Sequence, residues 1–265
     1  MTTNGLTPYA KDTAVRPDGH GRWRAELTDR WETGNKTPNG GYLLATALHA
    51  LAADMPLPHP LVASATFLRP AKAGAAEVST QVLRAGRRLA TGSATLHEDG
   101  TPVVHVVSTF RDLAAAEGRC WESAPAPGLL APENCAPVLD VAAPEFSIIH
   151  RMQYRFERPP GWLAGRPSGD PSANFWIRPE ADEQPDLIHL ALMVDAAAPV
   201  VFELGEFLSA TVELTVHLHR VPVPGWLQCR TATRHLVDGF HEEDVELWDR
   251  DGRLVAQSRQ LSMLS

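Results

Sequence analysis

Cysteine is scarce in this sequence of 265 residues. Its three cysteines, Cys120, Cys135 and Cys229, are widely spaced and form no CxxC or CxxH pattern, so neither a zinc site nor a disulfide framework is predicted. Unpaired thiols are typical of a reducing compartment, and we therefore expect a cytoplasmic protein. The N-terminal residues also lack the basic and apolar regions of a signal peptide.

Long apolar runs and basic clusters are missing as well. No apolar stretch approaches the roughly 20 residues that a membrane-crossing helix needs, so no membrane partner is expected. Basic residues number 24 against 32 acidic ones, which gives a formal net charge of −8. Because nucleic-acid binding requires a dense basic surface, this balance argues against a nucleic-acid partner.

Three common catalytic motifs are absent from the sequence. There is no GxSxG elbow, no Walker loop and no HExxH, so serine-hydrolase, P-loop and zincin chemistry find no support. His217 and His219 lie two residues apart, but without a third ligand nearby they are interpreted as solvated strand residues. We expect no metal and no cofactor.

The first hundred or so residues have the pattern of one helix and several strands. A turn-rich stretch, Gly34–Gly41, leads into Tyr42–Ala53, which is apolar nearly all round and therefore predicts a buried helix. Segments of strand-like pattern follow at Val62–Arg69, Glu77–Arg84, Leu89–His97 and Val103–Phe110. This order predicts an α+β unit in which a bent antiparallel sheet wraps the helix.

The second half repeats this pattern after an Ala/Pro-rich segment. We predict a first repeat at residues 1–112, a linker at 113–145 and a second repeat at 146–265. The second repeat has a helix-like segment at Asp186–Ala198 and strand-like segments at Ala210–Arg220, Trp226–His235, Phe240–Arg250 and Leu254–Leu264. Landmarks such as Arg69 and Arg220 recur at an offset of 151 residues, which indicates an internal duplication.

One acid stands at the end of an apolar, helix-like run. Asp195 follows Leu187–Val194, and on a helix it would share a face with apolar residues. A carboxylate that points inward loses water and its pKa rises, which suits a general base near neutral pH. The alternative is a surface aspartate or one in a loop at the C-terminal end of the helix, ahead of Pro199, and the pattern leaves both interpretations open.

Two more polar candidates lie on predicted strands. Strict alternation places Thr211 on a polar face with Glu213 and Thr215, and that face could line a cleft or meet bulk solvent. Gln260 shares its face with Ala256, Ser258 and Ser262, whose small size leaves room for a ligand or a water. An exposed edge-strand glutamine is the alternative.

Gly40 and Gly41 immediately precede the first predicted helix. Backbone amides at such a position could bind a phosphate or an oxyanion, and we carry both glycines as candidate substrate-binding residues. A plain structural turn is the alternative.

Short motifs occur in a characteristic order over residues 25–112 and 146–265. They are Pro38-Asn-Gly-Gly-Tyr42, His59-Pro60, Phe67-Leu-Arg-Pro70, Leu83-Arg84 with Gly86-Arg87, Asp99-Gly100, Trp176-Ile-Arg178, and the segment 211–220 that closes on His219-Arg220. In this order they resemble the type II acyl-CoA thioesterases. The resemblance implies a double hotdog, in which two repeats each have a long central helix wrapped by a bent antiparallel sheet.

The same resemblance implies a function in fatty acid metabolism, the hydrolysis of acyl-CoA thioesters without a covalent intermediate. In that family an Asp, a Thr or Ser and a Gln of the second repeat position the attacking water, and matching by segment assigns these roles to Asp195, Thr211 and Gln260. The loop between Asp195 and Thr211 is shorter than is usual in the family, which bears on the shape of the acyl pocket. By analogy a homo-oligomer is also expected, since hotdog helices usually pair across repeats or subunits.

The first repeat lacks this set of residues. By the same offsets Pro60 and Ser108 correspond to Thr211 and Gln260, and no acid occurs in Thr37–Ala53, so one active site per chain is predicted. Two alternatives stay open, a non-catalytic acyl-CoA-binding double hotdog and an enoyl-CoA hydratase or dehydratase. The second usually requires a histidine paired with an acid, and the sequence offers no convincing pair on a helix.

Overall fold

The computed structural model describes residues 6–138, 147–180 and 183–264. The first half of the chain forms two helices and six strands. These are α1 (Pro8–Asp12), β1 (Val15–Pro17), β2 (Arg22–Leu27), α2 (Gly40–Asp54), β3 (His59–Phe67), β4 (Gly74–Ala85), β5 (Ala90–Glu98) and β6 (Thr101–Arg111).

The second half forms one further helix and eight strands among the described residues. These are β7 (Ala136–Pro137), β8 (Met152–Phe156), β9 (Ser172–Pro179), α3 (Leu187–Met193), β10 (Ser209–Leu218), β11 (Leu227–Ala232), β12 (Leu236–Val237), β13 (Phe240–Trp248) and β14 (Leu254–Leu264). Short 3₁₀ helices occur in the connections, including Gly161–Ala164 and Val200–Leu204.

The strands form one antiparallel sheet, and its two halves meet at β3 and β10. The strand order is β1-β2-β4-β5-β6-β3-β10-β14-β13-β11-β9-β8-β7, with β12 paired to β13. At the junction Ser64 lies opposite Thr215, and their hydroxyl oxygens are 2.8 Å apart. These two residues are also 151 positions apart in the sequence, so a local twofold axis relating the halves passes between them.

Irregularities in the strand pairing recur at the sequence offset of 151. A β-bulge places one extra residue in a strand and changes which face the following side chains occupy. The register shifts lie between Pro60 and Val62, Thr211 and Glu213, Leu96 and His97, and Leu247 and Trp248. Each shift in the second half is therefore the counterpart of one in the first.

Helix α2 is buried, as its apolar sequence predicts. Leu44, Leu48 and Leu51 have no exposed surface, and the helix contacts strands β3 to β6. Asn39 begins the helix as its N-cap, because its side chain accepts a hydrogen bond from the amide of Tyr42 at 3.0 Å. Burial of several leucines at about 1.5–3 kcal/mol each makes this helix a major part of the core.

Helix α3 is much shorter than predicted. The sequence pattern extends the helix over Asp186–Ala198 and the resemblance implies a long central helix, but α3 covers only the seven residues Leu187–Met193. Pro199 explains only why the helix does not reach Ala198, because proline disfavours helical backbone at the residue before it and cannot donate to a helix itself. The chain instead turns and forms the 3₁₀ helix Val200–Leu204.

The Ala/Pro-rich segment is irregular over most of its described length. Between β6 and residue 138 it contains the 3₁₀ helix Pro132–Asn134 and the two-residue strand β7, which pairs with β8. The rest of the predicted linker, at 139–145, lies outside the described residues. Among the residues that are described, no helix is long and apolar enough to cross a membrane.

Candidate active site

Asp195 lies two residues beyond the end of α3 and contacts the first turn of α2. Its Oδ2 accepts hydrogen bonds from the amide of Gly41 at 2.7 Å and from Nδ2 of Asn39 at 3.0 Å. Asn39 Nδ2 also donates to the backbone oxygen of Asp195 at 2.8 Å, so the N-cap of one helix fixes the end of the other. The acid therefore belongs to a packed junction between the halves, although it lies in the loop that follows α3, as one alternative held, and its role as a base stays a prediction.

The protonation of Asp195 is set by its surroundings. Loss of water around the carboxyl raises its pKa to about 6, although the hydrogen bonds from Gly41 and Asn39 oppose this rise. The residue keeps part of its surface accessible to solvent, so a ligand can reach it. A carboxylate with these properties is ionised at neutral pH and can accept a proton from a bound water.

Thr211 faces the interior and not the polar face on which alternation places it. The register of β10 against β14 shifts between Thr211 and Glu213, so Val212 is the extra residue of a bulge. Thr211 thereby lies opposite the buried Ser262, and its Oγ1 donates to Oε1 of Gln260 at 3.1 Å. The prediction that it shares a face with Glu213 is wrong because strict alternation does not hold across a bulge.

Gln260 occupies the centre of a short chain of side-chain hydrogen bonds. It is buried with the small residues Ser258 and Ser262 on its face, as the sequence predicts. Its Oε1 accepts from Thr211, and its Nε2 donates to Oε1 of Glu243 at 3.3 Å. With both ends of the amide engaged, the orientation of the Gln260 side chain is fixed.

Glu243 is the residue of this site that the sequence reasoning missed. It is buried on β13 opposite Gln260, and its Oε2 accepts from the amide of Val200 at 2.8 Å. Burial, together with the negative charge of Asp195, raises the pKa of Glu243 to about 8, although the hydrogen bonds from Val200 and Gln260 oppose this rise. The pattern of β13 contains the signal that would have found it, because Glu243 alternates with the buried Val245 and Leu247 on one face.

The structure brings the predicted residues together in two linked groups. Thr211 and Gln260 are hydrogen-bonded directly, while Asp195 interacts with Glu243 through its charge. Val200 connects Asp195 to Glu243, since it lies a few residues after Asp195 in the chain and its amide donates a hydrogen bond to Glu243. Two carboxyl groups in one desolvated site have separated pKa values, so Asp195 is the ionised member and Glu243 the protonated one near pH 7.

A cavity lies beside the segment that follows α3. It has a volume of about 380 Å³ and is lined by Ala197, Ala198 and Val200, but not by Asp195, Thr211 or Gln260. Tyr154 supports its wall by donating from its hydroxyl to the backbone oxygen of Ala196 at 2.7 Å. Its other aromatic lining residues are Phe156, Trp162 and Phe175.

The positions in the first half that correspond to Thr211, Gln260 and Glu243 do not carry these side chains. Pro60 takes the place of Thr211, and Ser108 takes the place of Gln260 and donates to the backbone oxygen of Val62 at 2.8 Å. Near the counterpart of Glu243, Gly92 lies so close to Leu51 and Met55 that an added Cβ would be 2.8 Å from either side chain. Apolar side chains therefore occupy this region of the first half.

The two remaining sequence observations concern histidines. His219 Nε2 lies 3.1 Å from Oε1 of Gln257 and His217 is exposed, and the described residues contain no cluster suited to a metal ion. One histidine on a helix lies near an acid, but outside the site. His189 on α3 has its Nδ1 3.5 Å from Oε1 of Glu183, although this pair lies at the opposite end of α3 from Asp195.

The chain is similar to proteins of related architecture. A protein of Thermobifida fusca YX, provisionally assigned as a thioesterase II, is 31% identical, with 98% of each chain covered and a TM-score of 0.87. A protein of unknown function with a hot dog fold from Alicyclobacillus acidocaldarius is 22% identical, again with 98% of each chain covered and a TM-score of 0.87. An uncharacterized protein of Mycobacterium tuberculosis is 29% identical over 91% of this chain and 90% of its own length.

Family models account for most of the sequence. The model of the acyl-CoA thioesterase N-terminal domain matches residues 27–111, and that of the C-terminal domain matches residues 132–264. The chain belongs to the type II acyl-CoA thioesterase family. The family domains and the thioesterase relatives indicate a thioester hydrolase with a hot dog fold.

Gly41 permits the close approach of the two helices in this thioesterase-family chain. A Cβ at this position would lie 2.8 Å from the backbone oxygen of Leu192 and 3.0 Å from Cβ of Asp195. Because backbone atoms cannot move aside cheaply, we expect Gly41→Ala to destabilise the protein by about 1–3 kcal/mol. Urea unfolding measures this, with Gly118→Ala as control, since nothing lies within 4 Å of a Cβ there. Equal midpoints for the two variants would contradict the packing argument.

Glu243 should make stability depend on pH in a defined direction. Its pKa rises from 4.5 in the unfolded chain to about 8 in the folded protein, so its contribution is fully present below pH 4.5 and is lost as pH rises through 8. Glu243→Gln carries no charge at any pH in this range and should not show this loss. We expect the variant to gain stability relative to the wild type between pH 6 and pH 9, measured by urea unfolding. A pH-independent difference would refute the assignment.

Proposed function

We propose that this chain hydrolyses acyl-CoA thioesters to a free carboxylic acid and CoA by direct attack of water. The observation that carries the proposal is an ionised Asp195 that acts through its charge on Glu243, which in turn is hydrogen-bonded to Gln260 and through it to Thr211. Asp195 takes a proton from the water as its oxygen attacks the thioester carbonyl. The C–S bond then breaks, and the departing CoA thiolate receives that proton.

The polar chain around Gln260 positions the water in this proposal. The Thr211 hydroxyl donates to Gln260, so its oxygen is left to accept a hydrogen bond from the water. Gln260 has a second N–H besides the one directed at Glu243, and this donor is available to the water oxygen. Protonated Glu243 keeps the amide in place and adds no second negative charge beside Asp195.

A backbone amide at the start of α2 stabilises the developing oxyanion. The amide of Gly41 already donates to Asp195, whereas the amide of Gly40 hydrogen-bonds to none of the described residues. Gly40 is also partly exposed and its Cα flanks Oδ2 of Asp195, since an added Cβ would be 3.0 Å from that atom. We therefore assign the oxyanion to the Gly40 amide, where the helix dipole favours negative charge.

The acyl group occupies the cavity lined by Ala197 and Ala198. Its aromatic side chains offer apolar contact, and these two alanines follow the base by two and three residues in the sequence. An apolar pocket next to a few placed polar groups is the usual arrangement of a small-molecule site. The proposed substrate is therefore a small acyl-CoA thioester, handled without a cofactor.

The organisation of the chain is proposed to be a double hotdog. A first repeat at 1–112, a linker at 113–145 and a second repeat at 146–265 are supported by the recurring bulges and by the local twofold axis at Ser64 and Thr215. One active site per chain, in the second repeat, follows from the apolar filling at the first-half counterpart. A cytoplasmic location and a homo-oligomeric state remain predictions.

Release of free thiol from a panel of acyl-CoAs tests the proposed function. Purified wild-type protein should release thiol catalytically, and Asp195→Asn should not. Asp99→Asn is the matched control, because Asp99 lies in the exposed β5–β6 turn, where asparagine tolerates the positive φ of 48°. Saturable acyl-CoA binding without thiol release would favour a non-catalytic binding protein, and water addition to an enoyl-CoA would favour a hydratase.

A further inference from the structure

A second cavity lies at the opposite end of α3 from Asp195. It has a volume of about 570 Å³ and is lined by α1, α2, the N-terminal end of α3 and residues just before α3. Tyr9, His49 and His189 line it, together with the two acids Glu183 and Asp186. None of these residues takes part in the proposed hydrolysis, so their grouping needs a separate explanation.

The aromatic residues of this cavity form a connected cluster. The Tyr9 hydroxyl lies 3.0 Å from Nε2 of His49, and the Tyr9 ring stacks on His189 with ring centres 3.7 Å apart and planes 5° from parallel. On the other side, His189 Nδ1 lies 3.5 Å from Oε1 of Glu183. The cluster holds both imidazoles in fixed positions at the cavity wall.

Two buried polar atoms in the cluster have no hydrogen-bond partner among the described residues. They are Nε2 of His189 and Oε2 of Glu183. His189 is only 1% exposed and the Glu183 side chain only 9% exposed, so bulk water does not satisfy them. Because proteins rarely leave buried polar atoms unpaired, such atoms often indicate a missing ligand.

Both unpaired atoms are hydrogen-bond acceptors. With Nδ1 of His189 directed at Glu183, its proton sits on that nitrogen and Nε2 carries a lone pair. The carboxylate oxygen of Glu183 also accepts. A ligand that satisfies both atoms must therefore bring N–H or O–H donors.

The charge of the cavity indicates whether the donor ligand is a cation, a neutral molecule or an anion. Glu183 and Asp186 are acidic, and the described lining residues include no lysine or arginine. The imidazoles do not offset this charge, because burial lowers the pKa of His49 and lowers that of His189 to about 3. The surroundings favour a cation and disfavour the phosphates of CoA.

The position of the cavity relates it to the hydrolytic site. Asn39 caps α2 beside Asp195, and in the other half Asp186 caps α3 by accepting from the amide of His189 at 2.7 Å. Asp186 also acts electrostatically on His49 in the middle of α2. An N-cap residue therefore lies beside a polar group at each end of the helix pair. At one end the polar group is Asp195, and at the other end it is the histidine cluster.

We propose that this second cavity binds a small organic ammonium ion, which donates hydrogen bonds to Glu183 and His189. The ammonium head group pairs with the carboxylate, and its apolar part lies against Ala10, Ala14 and Val15 on the α1 side of the cavity. Because the two acceptor atoms are shielded from solvent, binding includes a rotamer change at the wall, which is common when ligands bind. The site is distinct from the acyl-CoA site and does not depend on its assignment.

Isothermal titration calorimetry of the full chain with n-butylammonium tests the proposal. We expect saturable n-butylammonium binding with which n-butanol and butyrate, the neutral and anionic probes, do not compete. Glu183→Gln should weaken binding by about tenfold or more, since it removes a charge-assisted hydrogen bond at nearly constant volume. Asp195→Asn is the matched control and should bind n-butylammonium like the wild type.

A second variant tests the proposal in case Glu183→Gln loses binding only because the protein misfolds. Asp186→Asn keeps a good N-cap for α3, because asparagine caps helices as well as aspartate, yet it removes a negative charge from the cavity. It should also weaken n-butylammonium binding. The proposal is overturned if n-butylammonium does not saturate at millimolar concentration, if n-butanol binds equally well, or if both variants bind like the wild type.

Discussion

Replacing Asp195 with asparagine is expected to lower kcat for acyl-CoA hydrolysis by about a thousandfold, because a positioned general base contributes roughly 10²–10⁴-fold. The amide of asparagine can occupy the same space and keep one oxygen for the donors Gly41 and Asn39. It cannot accept a proton from water. The loss should therefore appear in kcat with KM little changed, as measured by steady-state thiol release.

The pH dependence of the wild type provides an independent check on this assignment. Asp195 must be ionised to act as a base and its pKa is about 6, so kcat should fall tenfold per unit as pH drops below 6. The remaining activity of Asp195→Asn should lack this acidic limb. Turnover by the variant at the wild-type rate, or an unchanged limb in its pH profile, would remove Asp195 from the base role.

The residue types of the site could be predicted from the sequence more reliably than their orientation. Gln260 lies on a strand face with small residues, where its pattern places it, whereas Asp195 lies beyond the end of α3 and not on the helical face that its pattern predicts. Thr211 does not lie on its predicted face either, because one inserted residue at Val212 reverses the alternation. A bulge has no distinct sequence pattern here, so only the pairing with β14 identifies it.

Contacts between segments that are distant in the sequence could not be predicted, for a different reason. The roles of Asn39 and Glu243 depend on α2 meeting the end of α3 and on β13 pairing with β14, which a linear pattern does not encode. The length of α3 was overestimated because the apolar pattern continues past Met193, the last residue of the helix.

Removal of the Gln260 side chain is expected to have the second largest effect, a loss of about a hundredfold in kcat, within the range for removing one positioned donor. Gln260→Ala takes away the acceptor of the Thr211 hydroxyl and the donor to Glu243 together. The water then loses an amide donor, and Thr211 loses the partner that orients its hydroxyl. Gln257→Ala is a control on the same strand, because Gln257 contacts His219 and not the site.

A double-mutant cycle with Thr211→Val shows whether the two side chains act as a unit. Thr211→Val alone should also reduce kcat, since the hydroxyl is lost while the branched shape remains. If Thr211 and Gln260 hold one water jointly, Gln260→Ala should cost little more in the Thr211→Val background, and the two effects should not add. Additive losses in kcat would mean that the 3.1 Å hydrogen bond between them does not position a shared water. Gln260 would then position the water on its own, and Asp195 would deprotonate that water without help from Thr211.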